Sequence, residues 1–279
     1  MLARSGGRFP TKSSPPKNRV VCSAPPDSQK GEYEIMASQR SRLATAGYFC
    51  GIVGIACLVI GIGGIQIRLF PPMLGFGLFA LGTITGGIGA TLLGGIALIR
   101  KKHLTGPDDL KRAQTATALG AVLLILLFLS AGTGGDAPPI NDITTDLANP
   151  PAFASADAVP AYEGRDMSYP PDFVPIVKTA YPDLKPTLVG LPPDQAYENA
   201  LATARALGLQ IVWQSASERR FDAIDVTTVF RFVDDFTVRV IRAGSGSVID
   251  VRSKSRDGQG DLGTNAKRIR EFLTQLKDS

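Results

Sequence analysis

Residues 221–253 read FDAIDVTTVFRFVDDFTVRVIRAGSGSVIDVRS. Apolar and polar residues alternate through most of this run, the period of a strand with one buried face. Three strands are expected, joined by two turns. Gly244 and Ser245 suit a two-residue type II′ turn. Folding the chain there sets Val240 opposite Ile249, Val238 opposite Val251, Arg239 opposite Asp250 and Thr237 opposite Arg252. The other turn falls at Val233, Asp234 and Asp235, so that Phe232 faces Phe236 and the two adjacent acids serve as turn residues.

Working outward from the meander, PDQAYENALATARAL (193–207) places Ala196, Ala200, Ala204 and Leu207 at helical spacing, and Gly208 supplies the stop. A short strand at 209–213 follows. Residues 263–276 form a last helix with Ala266, Ile269, Phe272, Leu273 and Leu276 on one stripe. Residues 193–279 thus read as an α+β domain, an antiparallel sheet of about four strands with two helices. The preceding 136–192 is Pro-rich, and proline pairs at 138–139, 150–151, 170–171 and 192–193 preclude long helices and central strands. Phe153, Tyr162, Tyr169, Phe173 and Tyr181 are scattered through it, so an extended strap wrapping the domain is expected.

Further upstream, residues 44–135 contain three apolar runs, 44–67, 73–99 and 113–131, with no charge in their interiors. Each approaches the ~20 residues that cross a bilayer core, so the chain reads as a membrane-anchored protein with three transmembrane helices. In the second run Gly82, Gly86, Ala90 and Gly94 recur at every fourth position, a close-packing face. An internal seam against the other spans is favoured over a dimer face. Charge-free interiors argue against a pump, channel or coupled transporter. Residues 1–43 carry eight Lys and Arg against three acids and read as a disordered basic tail. Its start at 1–35 is an unfolded cytoplasmic segment or an over-extended gene start ahead of Met36, with a transit peptide as the competing reading.

The net charge of +5 is unevenly placed: 20 of the 25 acidic residues lie after 135. Basic residues flank the apolar runs instead, at Arg40, Arg42, Arg100, Lys101, Lys102, Lys111 and Arg112, against Arg68 alone in the first connection. The positive-inside rule then sets the N-terminus in the cytoplasm and the C-terminal domain outside it. A bacterial inner (cytoplasmic) membrane is expected, with a plastid membrane as the alternative. This placement of charge speaks for a lipid bilayer as partner and against nucleic acid. Cys22, Cys50 and Cys57 all precede the outer domain, and the single His103 sits beside the membrane. The domain therefore lacks the residues for a zinc–thiolate site or for Ser–His and Cys–His catalysis; no metal, cofactor or catalytic residue is assigned.

One polar constellation stands out. Arg252, Lys254 and Arg256 alternate with Ser253 and Ser255, then lead through a glycine-containing loop to Asp261 and the last helix. Cations before a helix N-terminus suit an anion, and Arg231 is placed on the same face. The competing reading is a structural network in which these cations meet Asp142, Asp146 and Asp261, with Asp250 bonded across strands to Arg239.

The runs DVRSKSRDGQGDLGTNAKRIREFL (250–273) and DITTDLANPPAF (142–153) resemble an uncharacterised family, domain of unknown function 1499, over roughly residues 142–276. The resemblance implies a membrane-anchored or exported bacterial protein, with relatives in photosynthetic lineages. It brings no established activity, catalytic residue or cofactor. The expectation is a membrane-tethered extracytoplasmic binding or interaction protein, taking an anionic envelope molecule or a partner protein of the envelope. Two alternatives are an envelope-associated hydrolase using carboxylates such as Asp250 or Asp261, and a membrane-complex assembly factor acting through its spans.

Overall fold

The computed structural model describes residues 27–100, 104, 107–130 and 137–278. Residues 1–26 of the tail expected over 1–43, Lys101, Lys102 and His103 lie outside them. Helix α1 (Asp27–Gln66) starts within the segment assigned to the tail and runs into the first apolar stretch. A tight turn leads to α2 (Pro72–Leu81), a π-helical turn at Gly82–Gly86 and α3 (Gly87–Ile99), which together form one continuous rod. Helix α4 (Pro107–Ser130) completes the bundle. Among the described residues three helices are long and apolar enough to cross a membrane, over Arg42–Gln66, Pro72–Ile99 and Asp108–Ser130.

The small-residue face is an internal seam. A Cβ on Gly86 would stand 2.6 Å from the Gly54 Cα of α1, one on Gly82 2.4 Å from the Cys57 Cβ, and one on Gly94 2.8 Å from the Thr117 backbone nitrogen of α4. Backbones this close hold helices together in lipid, where burial of apolar surface supplies no drive.

The outer domain is built on six strands: β1 (Asp142–Thr144), β2 (Thr187–Val189), β3 (Gln210–Ser215), β4 (Arg220–Val226), β5 (Val233–Ala243) and β6 (Gly246–Ser255). Their order is β1-β6-β5-β4-β3, with β2 also pairing β6, and every pairing is antiparallel. The β5–β6 register is the one the Gly244-Ser245 turn requires, including Arg239 opposite Asp250 and Thr237 opposite Arg252. Strands β1 and β2 come from the Pro-rich segment and divide the outer edge of β6 between them, at 252–254 and 247–249. The same segment contributes a short helix, α5 (Phe173–Ala180). Helices α6 (Pro193–Ala206) and α7 (Thr264–Asp278) cover one face of the sheet. There Phe236 meets Phe272, and Phe221, Val238, Ile249, Val251, Ala200 and Ile269 close a core from which water is excluded. Leu207, expected on the helix stripe, lies past the end of α6 and is 37% exposed.

The β4–β5 connection differs from expectation. Val226 pairs with Val233, so the turn spans 227–232, and Asp234 and Asp235 are buried strand residues. Phe230 and Phe232 do not face Phe236. They leave the sheet for α2, where Phe230 packs on Phe76 and Phe79, each with ring centroids 5.1 Å apart, and Phe232 on Phe76 at 5.6 Å. Gln66, at the end of α1, donates from Nε2 to the carbonyls of Thr228 and Val229 at 2.8 and 2.9 Å. The outer domain is thereby docked at the end of the bundle where the first two spans are joined.

Candidate functional site

Alternation on β4, β5 and β6 gives the sheet a second face, opposite the helices, carrying Asp222, Asp235, Thr237, Arg239, Asp250, Arg252 and Lys254. A charge buried there is tolerated only with a partner, and the strap supplies both partners and a cover. Asp142 stands beside Lys254 on β1. Its carboxylate takes Arg252 side-on, Nε to Oδ1 at 2.8 Å and Nη2 to Oδ2 at 2.7 Å, and accepts from Lys254 Nζ at 3.1 Å. Arg252 is 2% exposed. Its remaining N–H groups point to the carbonyls of Pro151, Met167 and Ser168, and the rings of Phe153 and Tyr169 lie 4.9 and 5.2 Å from its guanidinium carbon.

Two further clusters flank this one. Arg239 Nη2 donates to Asp250 at 2.9 Å, Asp146 at 3.0 Å and the Asn149 carbonyl at 2.9 Å. Arg256 grips Asp235, with Nη2 2.7 Å from Oδ1, and Arg165 of the strap reaches the other carboxylate oxygen at 2.8 Å. On the helix side, Arg268 bridges Asp225 and Asp234 at 2.7 and 2.8 Å and also donates to Asn265 and Ser253. Ser253 donates to Asn265 Oδ1 at 2.6 Å, and Asn265 Nδ2 donates to Ser255 at 2.9 Å. Asp261 accepts the backbone N–H of Gly263 and of Asn265 at 2.9 and 2.7 Å, capping α7 with the protein's own carboxylate.

The structure thus brings Arg252, Lys254, Asp142, Arg239, Asp146, Asp250 and Arg256 onto one covered face. Ser253, Ser255 and Asp261 gather on the other, at the start of α7. An external anion finds the places beside Arg252 and at the helix terminus already taken by Asp142 and Asp261. Arg231 joins neither group. It sits in the 227–232 turn and, with Arg68, lines a cleft of about 390 Å³ between the outer domain and the α1–α2 turn. A second, more open depression of about 520 Å³ lies along β3, beside Val212 and Trp213. Among the described residues no three His, Cys, Asp or Glu side chains are grouped to hold a metal ion.

Sequence reasoning missed Asp222, Asp235, Arg165 and Asp225 as members of these clusters. Asp222 is the most unusual. One oxygen accepts the Ala154 N–H at 2.7 Å, while Oδ1 and the neighbouring Thr237 and Tyr162 hydroxyls have no partner of good geometry. Burial raises its pKa above the ordinary carboxylate value, against the pull of the Ala154 N–H. Burial likewise raises Asp250 and Asp234, opposed by Arg239 and Arg268 respectively.

Together these features define a membrane-anchored α+β protein whose outer sheet is sealed on one face by helices and on the other by an ion-paired strap. Residues 142–276 match the model of the family described as Protein of unknown function (DUF1499), the one its two motifs resemble. No curated protein matches the chain.

Proposed function

We propose that the protein is a membrane-tethered binding protein, with its outer domain on the extracytoplasmic side of a bacterial cytoplasmic membrane. The observation that carries binding over catalysis is the state of the carboxylates. Asp250 is buried against Arg239, Asp261 is used in capping α7, and neither lines the cleft or the β3 depression. A general acid or base has to reach its substrate. The orientation rests on the basic residues at 40, 42, 100–102 and 111–112, set against Arg68 alone at the other end. Docking of the domain beside the first connection supports the odd number of crossings that this orientation needs. The seam of Gly82, Gly86 and Gly94 faces α1 and α4, which leaves the assembly-factor reading with less support.

The test is co-purification of the full chain from native membranes in mild detergent, identifying proteins and lipids together. A reproducible protein or lipid companion is expected. Recovery of the chain alone, with envelope-lipid or glycan hydrolysis that is lost in Asp250→Asn, would replace binding with catalysis. A reporter enzyme active only outside the cytoplasm, fused after Ser279, is expected to work; activity only of a cytoplasmic reporter overturns the orientation.

A further inference from the structure

We propose that the cleft between the outer domain and the first membrane hairpin holds the headgroup of an anionic phospholipid, with Arg68 and Arg231 as its phosphate-binding groups. The inference rests on the binding-protein reading and names its ligand class. Charge is the first reason. The cleft is lined by two guanidinium side chains, no carboxylate, and apolar residues that include Leu69, Phe70 and Val233. Neither arginine has an ion-pair partner among the described residues, and the acids near Arg231 in sequence are engaged elsewhere, Asp225 and Asp234 by Arg268 and Asp235 by Arg256 and Arg165. Two like charges lining one partly apolar cleft repel each other unless an anion lies between them, and a phosphate accepts guanidinium N–H groups in pairs.

Backbone conformation gives an independent reason. Arg68 and Arg231 have φ of 61° and 51°, in the left-handed region that L side chains rarely adopt. Both arginines in the cleft are held that way, one from the anchor and one from the domain, so the cleft is shaped by two tight turns meeting. Position supplies the third. Arg68 lies two residues beyond the span that ends at Gln66, and the next span begins at Pro72. That is the depth of lipid phosphates, where Arg and aromatic side chains anchor membrane proteins. Phe230 and Phe232 lie against Phe76 and Phe79 within the second span, so the turn carrying Arg231 reaches the bilayer surface. The apolar lining then accommodates the glycerol and first acyl carbons, and the bound phosphate joins domain to anchor.

The experiment uses the full-length protein in nanodiscs of phosphatidylcholine with a minor fraction of phosphatidylglycerol, released into mild detergent for native mass spectrometry. Wild type is expected to retain one phosphatidylglycerol. The Arg68→Gln/Arg231→Gln variant should retain it at least about tenfold less well, the scale of one lost charge-assisted hydrogen bond. Arg242→Gln, exposed at the far end of β5, removes the same charge and is expected to match wild type. Thermal unfolding establishes that each variant is folded, and Arg231→Lys, which keeps the charge, covers the case in which the double variant is not. Retention of phosphatidylcholine to the same extent, equal retention by the double variant, or displacement of the lipid by inorganic phosphate alone would overturn the proposal. Absence of bound lipid in wild type, with a protein companion still recovered from native membranes, would sink this inference and leave the binding-protein reading intact.

Discussion

On one face of the outer sheet Phe221, Phe236, Val238, Ile249 and Val251 meet two amphipathic helices; one residue along each strand, Asp222, Asp235, Arg239, Asp250 and Arg252 meet a strap made of prolines, carbonyls and aromatic rings. Both faces are buried, but by different physics. The apolar face gains about 1.5–3 kcal/mol for each large side chain withdrawn from water and tolerates small shifts of the helices above it. The ionic face gains little net, because desolvating each charge offsets the attraction that follows. It is instead costly to disturb, since the guanidinium groups of Arg239, Arg252 and Arg256 are each held by a buried carboxylate. The comparison teaches that the helices hold the sheet while the charges fix where the strap lies.

The largest expected effect is on the ionic side. Arg252→Leu leaves Asp142 buried with Lys254 alone and should cost about 3–5 kcal/mol of domain stability in urea unfolding. It should also expose residues 146–172 to limited proteolysis. Phe272→Ala, in the apolar core, should cost a similar ~3–5 kcal/mol by leaving a cavity under Phe236, but with the strap still protected in the folded fraction. If the strap were cut equally in both variants, the division of labour between the faces would be wrong.

A smaller effect of opposite sign is expected at Asp222. Its raised pKa means that the protonated carboxyl suits the fold. That stability is complete below the ordinary aspartate range and is lost as pH rises through the raised value. In Asp222→Asn the amide oxygen keeps the Ala154 N–H and the new NH₂ can serve the Thr237 or Tyr162 hydroxyl. A gain of about 1 kcal/mol, one net hydrogen bond, should appear at neutral pH, and it should vanish in acid. A loss at neutral pH would show that the ionised carboxylate is required there. Smallest of all, Arg219→Gln removes an ion pair to Asp194, which is 80% exposed, and should change stability by less than about 1 kcal/mol.

Local pattern carried much of this architecture. Hydropathy alone delimits the three spans to within a few residues at most boundaries, because a bilayer imposes one long, uninterrupted criterion. Gly244 and Ser245 set the β5–β6 register because a two-residue turn admits little freedom. The β4–β5 turn was misplaced for two reasons. Asp234 and Asp235 look like turn residues until Arg268, Arg256 and Arg165 are seen to neutralise them, and those partners lie 21 to 70 positions away. Phe230 and Phe232 look like core residues because they are apolar, but what they pack on belongs to a membrane helix. The cations at 252, 254 and 256 were legible as a cluster. Asp142 was legible among their candidate partners, but the choice between network and anion site was not, since the pattern reads the same whether the anion is foreign or the protein's own.

The pairing of Asp142 with Arg252 spans 110 positions of chain. At synthesis rates of about 5–20 residues per second, roughly 5–20 s separate the appearance of the two partners. Throughout that interval the strap emerges behind helices destined for lipid, with nothing yet to lie on. The strap's aromatic and aliphatic side chains wait interspersed with solvated aspartates and with prolines, which start no stray sheets. The ionic lining thus gives a late-closing structure a soluble waiting state, and the arrival of β6 ends the wait.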